Sequence, residues 1–123
     1  MVRGLLIGIA ILIFVIIMKS RSSHAEFLSP ALAFEKVSKG ALLLDVRTPQ
    51  EFAAGHLEGA VNVPYDQIAT RLAELGGDKN REIVTYCRSG RRSGITTEEL
   101  TKLGYGKVHN AGGFEELRKA LQN

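Results

Sequence analysis

From residue 28 onward, short apolar runs alternate with segments whose apolar residues recur at helical spacing. Three segments rich in apolar residues predict strands, 42–46, 61–64 and 82–86, and a short fourth strand is expected over 107–109. Five segments bounded by capping residues or glycines predict helices: 31–37, 49–54, 65–75, 93–103 and 114–121. Strands that alternate with helices over about a hundred residues predict a parallel α/β sheet flanked by helices on both faces.

The N-terminal segment differs from the rest of the chain. Gly4–Met18 contains fifteen residues without a charge, with Arg3 on one side and Lys19 on the other. As a helix it would span about 22 Å, short of the roughly 30 Å hydrocarbon core, but both basic side chains can extend to the membrane surface. The segment has no polar face, so it does not suit a helix of the folded domain. We therefore expect one hydrophobic helix that anchors the chain in a membrane.

A cleaved export signal is the alternative for this segment. Its apolar region has a suitable length, and Ser23-His24-Ala25 offers a small-x-small cleavage site. Two basic residues between the apolar run and that site, Lys19 and Arg21, are unusual in a cleaved signal, so we favour the uncleaved anchor. The side of the membrane stays open because basic residues flank both ends. With an uncleaved anchor, residues 1–25 are the anchor and tether and residues 26–123 are the domain. With a cleaved signal, the domain would be exported to the periplasm.

Composition excludes several classes of function. The chain has 16 Lys and Arg against 13 Asp and Glu, but six of the basic residues lie beside the apolar segment or in one loop. No basic stripe is then left to bind nucleic acid. The single cysteine excludes an internal disulfide, and the scattered histidines, His24, His56 and His109, have no metal-binding spacing. We expect no nucleic-acid partner, no metal and no cofactor.

The only cysteine, Cys87, stands between a predicted strand and a predicted helix. Such a turn directs backbone N–H groups and the positive end of the helix at one place, which favours a bound anion. Three arginines follow within five residues, and their charge favours the thiolate, the nucleophilic form. A structural cysteine is the alternative, but those lie within apolar runs, whereas this one precedes Arg88, Ser89 and Gly90. We infer cysteine-based chemistry on an anionic substrate.

Two charged residues are expected at the same edge of the sheet as Cys87. Asp45 and Arg47 lie at the carboxyl end of the strand 42–46. Ligands of parallel sheets bind beyond the carboxyl ends of the strands, so these residues should share one rim with the cysteine. We expect them to brace that rim by an ion pair or a loop hydrogen bond.

Three parts of the chain resemble the signatures of rhodanese domains, in the order found in that family. Residues 43–52 (LLDVRTPQEF) with 55–64 (GHLEGAVNVP) resemble the first signature, 86–93 (YCRSGRRS) resembles the active-site loop, and Gly104-Tyr105 with 110–114 (NAGGF) resembles the closing segment. The resemblance implies a single-domain sulfurtransferase of the rhodanese-like α/β fold. Its cysteine would take a sulfane sulfur from a small anionic donor, usually thiosulfate in assays, and pass it from a persulfide to cyanide or a thiol.

The resemblance also implies roles for the matching residues. Cys87 would be the nucleophile and persulfide carrier. The rest of its loop would bind the sulfur and the donor's oxygens: Arg88, Ser89, Gly90, Arg91, Arg92 and Ser93. Asp45 and Arg47 match an Asp-x-Arg pattern at the rim. His56 should tie its loop together rather than transfer protons, since a thiolate already poised needs no general base.

Two residues of the predicted helix 49–54 receive only a structural interpretation. Glu51 is expected at its surface and Phe52 in the core.

Two other functions remain open on the same fold. The related phosphatases and arsenate reductases carry a loop one residue longer, with arginine where this chain has Ser93. The six-residue loop Cys87–Arg92 resembles the sulfurtransferase loop, which suits a sulfur atom better than a larger phosphoryl group. The second alternative is a catalytically inactive interaction module. Such modules often lack the cysteine, which this chain keeps.

The N-terminal segment yields the first prediction. If Gly4–Met18 is an uncleaved anchor, the full chain should stay in the membrane fraction through washes with high salt or alkali and leave it in detergent. The reason is that apolar burial, which salt does not screen, would hold it there. Fractionation followed by intact mass tests this. A mature protein that begins at Glu26 would contradict the anchor and show a cleaved signal.

Overall fold

A computed structural model of the 123-residue chain describes residues 26–122. Its helices are α1 (Pro30–Ser38), α2 (Pro49–Ala54), α3 (Arg91–Lys102) and α4 (Phe114–Leu121). Its strands are β1 (Leu42–Asp45), β2 (Val61–Asn62), β3 (Ile83–Cys87) and β4 (Val108–Gly113). Two 3₁₀ turns, Tyr65–Gln67 and Leu72–Leu75, connect β2 to β3.

The four strands form one parallel sheet in the order β2-β1-β3-β4. Successive residues of a strand point to opposite faces, and here both faces are apolar. Leu44 packs with Leu100 of α3, whereas Leu43 and Val84 pack with Leu117 of α4. The sheet is therefore covered on both faces, which confirms the predicted architecture.

Side-chain caps determine where α1 and α2 begin, as the sequence predicts. The Oγ of Ser29 accepts a hydrogen bond from the N–H of Leu32 at 3.3 Å. At α2, the Oγ1 of Thr48 accepts from the N–H of Glu51 at 3.1 Å, and the Glu51 carboxylate accepts from the N–H of Thr48. This capping box holds the Glu51 side chain in one orientation.

The helix predicted over 65–75 is wrong. Two short 3₁₀ turns replace it, at Tyr65–Gln67 and Leu72–Leu75. Between them the Thr70 hydroxyl donates to the carbonyl of Gln67 at 3.1 Å, a local bond that competes with continued helix formation. The segment still buries Ile68 in the core, so its apolar pattern reflects packing rather than one continuous helix.

Several other predicted boundaries also change, and the largest changes are in the last strand and at the start of α3. The last strand, predicted over 107–109, continues through Gly113 because β3 pairs with it as far as Cys87. Gly112 and Gly113 belong to this strand. Helix α3 begins at Arg91, two residues before its predicted start at 93.

The carboxyl ends of β1 and β3 lie side by side. Asp45, the last residue of β1, is paired with Tyr86, and Cys87 ends β3 opposite Gly113. The β3–β4 pairing shifts register between Thr85 and Cys87, an irregularity of the kind that redirects a strand end. This edge of the sheet brings together the residues that the sequence predicts at one rim.

Within residues 26–122, no helix combines the length and the apolar character that a membrane crossing requires. The anchor predicted over Gly4–Met18 lies outside the described residues.

Candidate active site

The side chain of Cys87 is buried within the loop that joins β3 to α3. The backbone N–H of Gly90 donates to its Sγ at 3.0 Å, and the hydroxyl of Ser93 lies 3.5 Å from the same sulfur. Gly90 has φ +97°, a left-handed conformation that glycine adopts without the strain of a side chain, and it caps the start of α3. The loop therefore surrounds the sulfur with donors, as the sequence predicts.

Hydrogen bonds favour the thiolate form of Cys87. Burial raises the pKa of the thiol, but the hydroxyl of Ser93 and the N–H groups of Ser93, Ser89 and Gly90 outweigh burial and leave the pKa below its ordinary value. These donors belong to the loop and to the first turn of α3. The sequence interpretation expected both the backbone N–H groups and the arginine charges to favour the thiolate, and the hydrogen bonds make the leading contributions.

Arg92 is committed to an ion pair within the protein. Its guanidinium donates to both carboxylate oxygens of Glu51, at 2.7 and 3.0 Å. The bonds from Arg92 lower the pKa of Glu51 to about 2, against the opposing effect of burial and with help from Thr48. Arg92 thus ties the cysteine loop to the capping box of α2, a role of Glu51 that the sequence interpretation missed.

The other two loop arginines stay exposed. Among residues 26–122, no carboxylate lies within ion-pair distance of Arg88 or Arg91. Their charges are available to an external anion, whereas the charge of Arg92 is already compensated by Glu51.

Asn110 holds the cysteine loop from β4. Its Nδ2 donates to the carbonyl of Gly90 at 2.9 Å, and its Oδ1 accepts from the hydroxyl of Ser93 at 2.7 Å and from the N–H of Gly112 at 2.9 Å. A serine hydroxyl carries one hydrogen, so Asn110 and the sulfur of Cys87 share a single donor. The sequence interpretation gave Asn110 no role. The sequence signal that could have pointed to Asn110 was its position near the carboxyl end of a strand beside the cysteine.

Asp45 and Arg47 form a buried ion pair at the rim. The Nη2 of Arg47 donates to Asp45 Oδ2 at 2.7 Å and to the carbonyl of Gly55 at 2.7 Å, and its Nε lies within 3.1 Å of both carboxylate oxygens. The guanidinium also stacks over Phe114, 4.4 Å from the ring centre. Burial lowers the pKa of Arg47, but the bonds and charge of Asp45 raise it more strongly, so the side chain stays charged. The pair braces the rim, as expected.

His56 lies on the protein surface and is not among the residues that donate hydrogen bonds to the sulfur of Cys87. Its Nδ1 is 2.8 Å from the carbonyl of Phe52, and its ring stacks on the Phe52 ring with centres 3.7 Å apart. Phe52 is half-buried rather than a core residue. Within the described part of the chain, His56 makes no hydrogen bond to residues 87–93, which agrees with a role in holding its own loop.

A cleft of about 510 Å³ lies beside the cysteine loop. Its wall is formed by Arg47, Glu51, Ala54, Gly55, Arg88, Phe114 and Glu115. Arg47 is paired with Asp45, Glu51 with Arg92 and Glu115 with Arg118, so Arg88 is the uncompensated cation of this wall. The cleft therefore offers an anion the side chain of the residue that follows the buried Cys87.

Comparison with known proteins identifies relatives of this chain. The family described as Rhodanese-like domain matches residues 29–120. Thiosulfate sulfurtransferase PspE of Escherichia coli is 39% identical over 74 residues, which cover 60% of this chain and 71% of that protein. Thiosulfate sulfurtransferase 16, chloroplastic, of Arabidopsis thaliana is 32% identical over 115 residues, which cover 83% of this chain and 94% of that protein.

Solved structures share the fold. A rhodanese from Escherichia coli, solved with anions, has a TM-score of 0.60 and 38% identity, with coverage of 63% of this chain and 91% of that one. The human single-domain sulfurtransferase TSTD1 has a TM-score of 0.64 and 29% identity, with coverage of 78% and 97%.

The buried pair at the rim yields a stability prediction. Asp45→Asn leaves the Arg47 guanidinium buried without its charge partner, and we expect a loss of about 3–5 kcal/mol in the free energy of unfolding. Glu35→Gln is the matched control, because it removes a carboxylate from the exposed Glu35–Lys39 pair and should change stability little. Chemical denaturation measures both. Equal losses in the two variants would contradict a structural role for the buried pair.

Proposed function

The chain belongs to the rhodanese-like domain family, and from that membership we propose that it is a sulfurtransferase that carries sulfane sulfur as a persulfide on Cys87. The observation that carries the proposal is the buried thiol with the Gly90 N–H at 3.0 Å and a lowered pKa. A thiol that ionises readily among fixed donors suits nucleophilic attack on sulfur. The relatives named thiosulfate sulfurtransferase support a small anionic sulfur donor and a thiophilic acceptor.

In the proposed first step, the Cys87 thiolate attacks the outer sulfur of thiosulfate. The electron pair of the thiolate forms the new S–S bond, while the S–S bond of thiosulfate breaks and its pair leaves with sulfite. Three negative charges enter the step and three leave it, one on the persulfide and two on sulfite. The N–H groups of Ser89, Gly90 and Ser93 favour the thiolate, and we expect the N–H groups of this loop to stabilise the negative terminal sulfur of the persulfide as well.

In the proposed second step, a thiolate or cyanide acceptor attacks the terminal sulfur of the persulfide. The acceptor supplies the pair for its new bond to sulfur, and the S–S bond of the persulfide breaks with its pair returning to Cys87. The cysteine is released as the thiolate that began the cycle. This return is favoured by the donors that lower the thiol pKa, because the same donors make the thiolate a better leaving group.

We assign the main contact with the donor's oxygens to Arg88. Arg47 and Arg92 are held by Asp45 and Glu51, so neither is free to follow a substrate. Arg88 is exposed and lines the cleft, and a guanidinium binds oxyanions through parallel N–H groups.

The persulfide is directly testable by mass. Incubation of the full chain with thiosulfate should add the mass of one sulfur atom to the protein, because Cys87 is its only cysteine. Intact mass spectrometry before and after incubation measures the gain, and Cys87→Ser provides the control. No gain, or the same gain in the serine variant, would overturn the proposed mechanism. A parallel aryl phosphate assay addresses the alternative of a phosphatase, and activity there alone would favour it.

The assignment of Arg88 predicts a selective loss. Arg88→Ala should lower kcat/KM for thiosulfate roughly ten- to hundredfold, because a charge-assisted hydrogen bond contributes about 1.5–3 kcal/mol. Alkylation of Cys87 by a neutral reagent should fall less, since that reagent carries no charge for Arg88 to bind. Arg91→Ala is the matched control, an exposed arginine of the same loop that is not part of the cleft wall. Equal losses in the two variants would refute the assignment.

A further inference from the structure

The ring of Phe27 lies against two glycines beside the cysteine loop. A Cβ atom added to Gly90 would come within 2.7 Å of the ring's Cε1, and one added to Gly112 within 2.8 Å of its Cδ2. Both glycines have left-handed backbones, with φ +97° and +89°. The ring therefore occupies the space that these two residues leave by lacking side chains, although half of its own surface is exposed to solvent.

The segment that carries Phe27 is attached to the same part of the fold. The N–H of Leu28 donates to the carbonyl of Asn110 at 2.8 Å. The side chain of Asn110 in turn donates to the carbonyl of Gly90 at 2.9 Å. Gly90 is thus contacted on its Cα side by the Phe27 ring and held at its carbonyl by Asn110, while its N–H donates to Cys87 Sγ.

We propose that Phe27 is a positioning residue for Cys87, which acts by keeping the Gly90 peptide oriented with its N–H toward the sulfur. A left-handed glycine has more backbone freedom than any other residue, so its peptide stays in one orientation only when its neighbours restrain it. Asn110 restrains the carbonyl, and the flat face of Phe27 closes the side on which Gly90 has no side chain. Donors fixed before reaction stabilise a charged sulfur without the cost of reorganising the loop.

The effect of Phe27 on the ionisation of Cys87 does not depend on which reaction the protein catalyses. The consequence of that effect for sulfur transfer rests on the proposed function. If Phe27 merely covered apolar surface, its removal would lower stability and leave the ionisation of Cys87 unchanged. If it positions Gly90, its removal weakens a hydrogen bond that favours the thiolate, so the thiol should ionise at higher pH.

The test is the pH dependence of alkylation of the single cysteine in the full chain, measured with neutral iodoacetamide and no sulfur donor. Phe27→Ala should move the midpoint of the profile to higher pH, with a roughly three- to tenfold lower thiolate fraction at pH values below both midpoints. Easier access to the buried sulfur changes the limiting rate, and a loss of burial would by itself lower the midpoint. A rise in the midpoint therefore reports the weakened hydrogen bond rather than the added access. Phe27→Tyr, which keeps the ring, should restore the wild-type profile.

Leu32→Ala is the matched control, since Leu32 on α1 is exposed to a similar extent, 47% against 50% for Phe27. A folded Phe27→Ala variant whose midpoint equals that of the wild type, or a Leu32→Ala variant with the same shift, would overturn the proposal. If Phe27→Ala fails to fold, Phe27→Leu replaces it: a shift in the same direction supports the proposal and an unchanged midpoint overturns it. Sulfur loading by thiosulfate is measured separately, so failure of the transfer reaction and failure of the positioning role give different results.

Discussion

Burying a sulfur atom that must carry negative charge costs free energy unless donors are already directed at it. At Cys87 those donors come from the backbone of a short loop and from the hydroxyl of Ser93, and the N–H of Gly90 donates to the sulfur at 3.0 Å. The loop turns back over the sulfur at Gly90, whose backbone is left-handed. Glycine has more backbone freedom than any other residue, so the loop is most easily disordered at the residue whose N–H must stay directed at the sulfur. Much of the surrounding structure restrains this loop.

The restraints come from three directions. Glu51 of α2 holds Arg92, Asn110 of β4 holds Gly90 and Ser93, and the Phe27 ring lies against Gly90. Two of the three use polar groups with specific geometry, which fix an orientation as well as a distance.

The distribution of arginines follows from the same requirement. Arg47 is buried with Asp45, and such a pair adds little net stability because desolvation offsets the Coulomb attraction, although losing either partner is costly. Arg92 is likewise held by Glu51. Two of the four arginines, Arg47 and Arg92, therefore serve to shape the site, whereas Arg88 and Arg91 are exposed and only Arg88 lines the cleft. Counting the loop arginines in the sequence could not separate Arg92 from the other two, because its partner Glu51 lies in a different helix.

What the sequence could predict depended on the range of the interactions. Caps at Ser29 and Thr48 act within three residues, and the starts of α1 and α2 were predicted correctly. The segment 65–75 was misjudged because its apolar residues meet the core across a bend that the hydroxyl of Thr70 supports. The position of Cys87 followed from its own neighbours. Asn110 and Phe27 act on the loop from outside it, so their roles appeared only when the chain was folded.

The pKa shifts at the site determine the pH ranges in which its charges stabilise the fold. The pKa of Glu51 is lowered to about 2, chiefly by Arg92, so its contribution to stability is complete above its ordinary value of 4.5 and is lost as pH falls toward 2. The pKa of Cys87 is lowered too, so the thiolate's contribution is complete above its ordinary value of 9.0 and is lost as pH falls through the folded-state pKa. Because the pKa of Glu51 is about 2, its carboxylate is ionised at neutral pH, and the brace that it forms with Arg92 holds the cysteine loop there.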